Sequence, residues 1–333
     1  MKLNKSYVIT TNNFKVNDID VDLDYKETKF NNYSYDENSL SVKQSLLNNF
    51  ESNIGLNGSK YLNLDITTLK NNNSVINYVF DDNTYLSSSI NSNIKHDSNI
   101  IICFRSNKKS FLNFRLNIES EKDIKSNISI VTLTGDDSTN LVSINNRSND
   151  NTNTIINYVD LLGELRISNL YSDLYGINSK FEFNTIYLGY KNERMDMNYY
   201  VKNNNINTVS NMSFEGALKD NSTKTLRDTI DFIDGCKNSK GEENENCILL
   251  SANAISKSVP VLLCHEEAVE GAHGMSSGSI DKNKLFYLTS RGLSEEDAKK
   301  LIIKSNFKKV LDKLFDEEIK NEINDIIDRK IDD

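Results

Sequence analysis

From about Ser74 to Leu263 the chain is a succession of short strand-like runs, and no helical pattern ten residues long separates any two of them. Val75–Phe80, Ile100–Phe104, Phe111–Ile118, Thr154–Val159, Phe181–Leu188 and Met195–Val201 are examples, divided by Asn, Ser, Asp and Gly. Phe181/Phe183 and Met195/Met197/Tyr199/Val201 alternate with a period of two, which is the spacing of side chains on one face of a strand. Run starts recur every ~10 to 17 residues, too close for a helix to cross between parallel strands. This argues against a βαβ architecture. A sandwich, a barrel and a β-solenoid remain.

Two features favour the solenoid. Runs of similar length follow one another without the dipeptides that close tight hairpins, as stacked coils require. Pro260, the single proline, stands at a strand start, where a missing N–H is tolerated. The 50 asparagines are the compositional outlier. They fit a genome whose codons favour Asn, Lys and Ile, and equally a turn-dense fold with asparagine ladders, because Asn tolerates left-handed backbone.

Residues 1–74 are mixed and polar and read as an N-terminal cap region, with one short helix expected over Ser41–Phe50. A β body is expected over 75–285 and a helical domain over 286–333. From Ser294 the pattern turns helical: Ser294 and Asp297 form a capping-box-like start. Leu301, Ile302, Val310, Leu311, Leu314, Phe315 and Ile319 then recur at near-helical spacing, as do Ile323, Ile326, Ile327 and Ile331.

Net charge of −9 and pI near 5.1 argue against nucleic-acid binding, which needs a basic face. MKLNKSYVITTNNF has no apolar stretch typical of an export signal, and no window is apolar enough to span a membrane. A cytoplasmic protein with reduced thiols is expected. Cys103, Cys236, Cys247 and Cys264 include no C-x-x-C pair, which argues against structural zinc. No phosphate-binding loop, G-x-S-x-G or H-E-x-x-H occurs, so catalysis of its own is not expected.

Chemistry concentrates in VLLCHEEAVEGAHGMSSGSIDKNKLFYLTSRGL, residues 261–293. Cys264, His265 and His273 fall within ten residues, with Glu266, Glu267 and Glu270 between them. Thiolate, imidazole and carboxylate are ligand types that iron accepts. His273, between Ala272 and Gly274, is expected on a loop. Cys264 closes an apolar strand beside His265, where a thiolate is favoured. Glu270 is the preferred carboxylate because it stands three positions from His273. Cys236 and Cys247 flank the polar run KNSKGEENEN, read as a loop. Cys103, inside an apolar run, reads as core.

The same stretch resembles the C-terminal core of the SufB/SufD family, the scaffolds of SUF-type iron–sulfur cluster assembly. The matching residues are Glu270, Gly271, His273, Gly274, Gly278, Ile280, Asp281, Leu285, Phe286, Tyr287, Ser290, Arg291 and Gly292. A second, weaker match is GALKDNSTKTLRDTIDF, Gly216–Phe232. His273-Gly274 is nearer the SufD branch and the short single-scaffold homologues than the His-Glu-Ala of SufB.

The resemblance implies a right-handed parallel β-helix with a C-terminal helical domain. It implies a non-catalytic scaffold that holds iron or a transient iron–sulfur cluster and works with a SufC-type ABC ATPase and a cysteine desulfurase or sulfur carrier. A homodimer or heterodimer through the C-terminal end of the β-helix is implied as well. His273 and Cys264 are the leading iron-ligand candidates, followed by Glu270, Glu266, Glu267 and His265. Cys236 and Cys247 are sulfur-relay candidates. Leu285, Phe286, Tyr287, Arg291, Leu301 and Phe307 are the partner-binding candidates. A β-solenoid carbohydrate-active enzyme and a purely structural solenoid are the competing readings.

Overall fold

The computed structural model describes residues 2–10, 15–22, 33–48, 60–80 and 85–332. Over half of the chain is strand, wound into a β-solenoid of about eight turns with a helical region at its C-terminal end. The strands are β1 (Lys2–Leu3), β2 (Ile19–Asp20), β3 (Tyr33–Ser34), β4 (Leu40–Asn48), β5 (Lys60–Thr68), β6 (Asn72–Val79), β7 (Tyr85–Ile94), β8 (Ser98–Arg105), β9 (Phe111–Ser120) and β10 (Lys125–Leu133). They continue as β11 (Thr139–Ser148), β12 (Asn153–Asp160), β13 (Leu165–Leu174), β14 (Lys180–Gly189), β15 (Arg194–Asn203), β16 (Val209–Leu218), β17 (Thr223–Phe232), β18 (Lys240–Leu249), β19 (Ile255–Cys264) and β20 (Glu270–Ser279). Helices α1 (Lys282–Ser290), α2 (Glu295–Leu311) and α3 (Glu317–Asp332) follow.

Even-numbered strands from β6 to β20 stack in parallel as one sheet, and odd-numbered strands from β5 to β19 as the other. Strands adjacent in sequence therefore lie in opposite sheets, which is what a solenoid with two strands per turn requires. Lys125 pairs with Asn153, and Asn153 with Lys180, so each turn returns the chain to the same column one rung higher.

Strand alternation sorts side chains between the lumen and the two outer faces, giving two large cores and a smaller one where Leu3, Ile19 and Val21 meet Phe111, Leu141 and Ile167. Inward positions fill the lumen with Ile100, Ile128, Ile156, Phe183, Leu170 and Tyr199 among others. Outward positions of the even-numbered sheet, including Ile101, Cys103, Val131, Val159, Ile186 and Ile248, meet Ile303, Phe307, Val310, Ile323 and Ile327 of the helices. Each fully buried aliphatic or aromatic side chain contributes ~1.5–3 kcal/mol, so both interfaces are strongly favoured. Cys103 belongs to the second core, and burial pushes its thiol up to about 12.

The expected helix over Ser41–Phe50 is a strand instead: β4 runs antiparallel to β5 from Leu40↔Thr68 to Asn48↔Lys60. Pairing with the first rung overrides the local helical pattern. The last two residues of that expected helix lie outside the described residues. An N-terminal segment crosses the outer face of β13, β15 and β17. The buried Asn4 donates to Ser168 O at 3.0 Å and to Asp196 Oδ1 at 2.7 Å, and Arg227 donates to Val16 O at 2.7 Å.

The helical region begins earlier than Ser294. Asp281 caps α1 by accepting from the backbone N–H of Asn283 at 2.8 Å and of Lys284 at 3.4 Å, so the LFYLTS run is helix. Ser294 caps α2 as its sequence implies, accepting from Asp297 N at 3.0 Å.

Candidate functional site

Among the described residues no further strand covers the C-terminal end of the solenoid: β19 pairs only with β17 and β20 only with β18, so each sheet finishes on an edge with no described partner. Side chains on β20 are almost all exposed, and those on β19 are mostly half-buried. By contrast, β15 and β17, lower in the same column as β19, are largely buried.

Register places the two leading candidates at this open end. Cys264 stands over Phe232 and His273 over Glu243. Phe232 and Glu243 are fully buried in the lumen, so Cys264 and His273 occupy inward-facing positions of the last rung, with no rung above them among the described residues. Both are exposed. His273 lies on strand β20, not on the expected loop. The run of small residues around it, Gly271 to Gly274, reads as loop in one dimension, yet it pairs residue for residue with Gly241 to Asn244.

That correction moves Glu270. On a strand, residues three apart face opposite sides. Glu270 stands over Lys240 on the outer face and accepts from its ammonium at 2.8 Å, away from His273. Glu266 accepts from Gly235 N at 3.2 Å and Ala268 N at 3.1 Å. These backbone bonds, that of Ala268 first, hold its carboxyl below the usual range and tie it to the corner between β19 and β20. His265 lies outside the lumen, its Nε2 3.6 Å from Asp231 Oδ1. Glu267 is exposed on the same corner. Among the described residues no group of three or more His, Cys, Asp or Glu side chains is arranged to hold a metal ion.

The remaining thiols are out of reach. Cys247 is an inward residue of β18 and Cys236 sits in the turn before it, both buried. Desolvation is the main cause that raises both thiols. KNSKGEENEN is mostly strand β18, not loop. Cys264 is the one exposed cysteine of the four.

Beneath the open end the lumen changes character. Lys224, Asp228, Glu243 and Glu245 all point inward from the last closed turn and are buried. Lys224 pairs with Glu245 and donates to Ser258 Oγ at 2.9 Å, while Tyr187 donates to Glu245 at 2.6 Å. Gly216 makes this possible: a Cβ there would lie 2.0 Å from the Tyr187 ring. No motif in the sequence flags this cluster. Its signal is the even–odd placement of charges in TKTLRD and KGEENENC, readable only once the strand register is known.

The partner-binding candidates divide. Phe286, Tyr287 and Leu301 are exposed at 73%, 58% and 49%, and the Arg291 guanidinium lies 5.4 Å from the Tyr287 ring centre. Leu285 is partly buried against the helix–sheet core. Phe307 is wholly buried in that core and so supports the surface from below, because the inner face of α2 is turned to the sheet.

A family model described as "SUF system FeS cluster assembly, SufBD core domain" matches residues 84–306. Over 116 residues the chain is 29% identical to the iron–sulfur cluster assembly protein SufD of Bacillus subtilis, covering 35% of this chain and 26% of that protein. Over 155 residues it is 26% identical to SufD of Escherichia coli, covering 46% and 37%. Over 129 residues it is 32% identical to the SufBD family protein PH1385 of Pyrococcus horikoshii, covering 39% and 28%. The matched stretches thus span well under half of these relatives.

Proposed function

Because the chain belongs to the SufB/SufD family, we propose that it is a non-catalytic scaffold subunit of iron–sulfur cluster assembly and that it works at the open end of its β-helix. The observation that carries this reading is the last rung. Two sheets end on edges with no described partner, and an exposed thiol and an exposed imidazole, Cys264 and His273, occupy its inward positions.

A free strand edge invites a second strand. A second β-helix, of this chain or of a homologue, would pair along β19 or β20 and enclose Cys264 and His273 between two lumens. Nascent iron and sulfide are the substrates held there. Cys264 and His273 are two of the roughly four ligands a cluster takes, and a second chain at this edge would supply the rest. A desulfurase or sulfur carrier would deliver sulfur to Cys264, which needs no opening of the fold. Cys236 and Cys247 would serve a relay only after the last turn loosens.

The exposed group of Phe286, Tyr287, Arg291 and Leu301 is the surface we assign to a SufC-type ATPase. Co-expression of the chain with such an ATPase, followed by affinity capture, tests the assignment. Retention of the ATPase by wild type and its loss in Phe286→Asp/Tyr287→Asp, with unchanged circular dichroism, is the expected result. Undiminished capture by that variant would remove the surface from the mechanism.

A further inference from the structure

The chain carries a net charge of −9, yet one pocket gathers cations. It measures about 680 Å³ and lies where the N-terminal segment passes the outer face of β15, β17 and β19. Two outward columns make its floor. One runs Arg194, Thr223 and Ile255, the other Asp196, Thr225 and Lys257. Arg194 and Lys257 therefore stand at opposite corners, on strands two spacings or roughly 10 Å apart. Two half-buried threonines lie between them. The N-terminal segment adds Lys2 and Lys15 from the other side.

The carboxylates of this pocket do not balance its cations. Asp18 is taken by Lys2, 3.1 Å away. Asp196 is held by Arg227 and by Asn4, and Arg194 bears on it without bonding to it. The Lys224 ammonium is turned inward to Glu245. Asp20 is the one carboxylate left to oppose Lys15, Arg194 and Lys257. Among the described residues the side chains of these three cations make no ion pair or hydrogen bond, nor do the hydroxyls of Thr223 and Thr225. Three exposed cations around two unused hydroxyls, against one carboxylate, leave a local surplus of positive charge in an acidic protein.

We propose that this pocket binds a phosphate-bearing small molecule of two or more negative charges, gripped by Arg194 and Lys257 over Thr223 and Thr225 and closed over by Lys15. A guanidinium fork, ammonium groups and hydroxyls are the donors that phosphate oxygens accept from. A phosphate group supplies roughly −1.5 to −2 charges at neutral pH, which matches the surplus. The ligand would tie the N-terminal segment to the last rungs of the solenoid. Cys264 and His273 take no part in the site.

The test is calorimetric titration of the full-length chain with inorganic pyrophosphate in low-salt, metal-free buffer, with melting curves in parallel. Wild type is expected to bind one pyrophosphate per chain, to melt at a higher temperature with it than without, and to bind more weakly as sodium chloride is added. Arg194→Gln/Lys257→Gln is expected to lose affinity by about tenfold or more and to lose the rise in melting temperature. Lys15→Gln, on the N-terminal segment, should also weaken binding and leaves the solenoid strands untouched. Lys122→Gln/Lys125→Gln removes the same charge elsewhere and is expected to bind as wild type does. Cys264→Ser/His273→Ala should bind as wild type does too.

Absence of binding to wild type, or undiminished binding in Arg194→Gln/Lys257→Gln, would overturn the site. An equal loss in Lys122→Gln/Lys125→Gln would overturn it as well, by assigning the affinity to overall charge. Sulfate bound as tightly as pyrophosphate would overturn the assignment to phosphates. None of these outcomes bears on cluster assembly, which is measured with the partners present.

Discussion

Asn207 donates its side-chain amide to Oδ1 of Asn178, one turn below, at 3.0 Å, and both residues hold left-handed backbone, with φ of 57° and 58°. The pair belongs to a longer column. Asn178 donates to Asn151, Asn151 to Asp123, and Asn238 to Asn207, and every member has positive φ. The corner between successive strands needs a left-handed residue, and Asn supplies both the conformation and the next rung's hydrogen bond.

Replacing Asn178 by Ala removes two ladder bonds and puts a Cβ without a compensating polar group in left-handed backbone. A loss of ~1–2 kcal/mol is expected in chemical denaturation. Asn178→Gly keeps the backbone freedom and should lose less. Equal losses in the two variants would assign the cost to the hydrogen bonds alone.

Much of the fold was legible in the chain. The period-two runs and missing helical segments narrow the fold to a sandwich, a barrel or a solenoid, the absence of tight-hairpin dipeptides favours the solenoid, and the parallel β-helix itself comes from the family resemblance; asparagine abundance is consistent with its corners. Three segments were not legible. β4 reads as helix because its pattern is short and its partner β5 is distant in the local sense. β7, YLSSSINSNI, is hidden by the serines that fill a lumen already crowded by aromatics, as at Tyr78 and Phe104, whose ring centres are 4.8 Å apart. β20 is hidden by glycine and serine. Cys264 and His273 could be singled out by residue type. The buried charged cluster below them could not, because inward and outward positions are defined by register rather than by composition.

Lys330 at the end of α3 enters the solenoid wall, where it donates to Glu193 Oε1 at 2.7 Å and Oε2 at 2.9 Å and to Leu188 O at 3.3 Å. Complete burial pulls its ammonium down to about 7 from an ordinary 10.5. Between those values the unfolded chain holds the proton and the folded chain does not, so this group's contribution to stability rises with pH across the window. The stability of wild type minus that of Lys330→Met should therefore rise from pH 7.5 to 9.5, by at most ~1.4 kcal/mol per pH unit. A difference that stays flat or falls would contradict the shift.

Leu301 and Phe307 lie on the same helix and should behave oppositely. Phe307→Ala empties a core site and should cost ~3–5 kcal/mol. Leu301→Asp, on the exposed face, should change stability by ~0.5 kcal/mol or less while weakening capture of the ATPase. Thermal melts and affinity capture on both variants separate the two outcomes. Unfolding of Leu301→Asp would show that its face is not free.

Thiol chemistry should follow exposure. In the native chain a short pulse of iodoacetamide is expected to label Cys264, while Cys103, Cys236 and Cys247 react only after denaturation. Mass spectrometry of the digested protein reads the pattern. Native labelling of Cys236 or Cys247 ahead of Cys264 would make the buried thiols accessible and revive them as relay residues.

The central claim is that the last rung of the β-helix, through Cys264 and His273, is where cluster assembly occurs. The most direct measurement is the iron and acid-labile sulfide content of the complex with the ATPase, reconstituted anaerobically from wild type and from Cys264→Ser/His273→Ala. Both side chains are exposed and contribute little packing, so the variant should melt within a few degrees of wild type. Its iron and sulfide should fall by about tenfold or more. Wild-type iron and sulfide in a folded, ATPase-bound double variant would contradict the account.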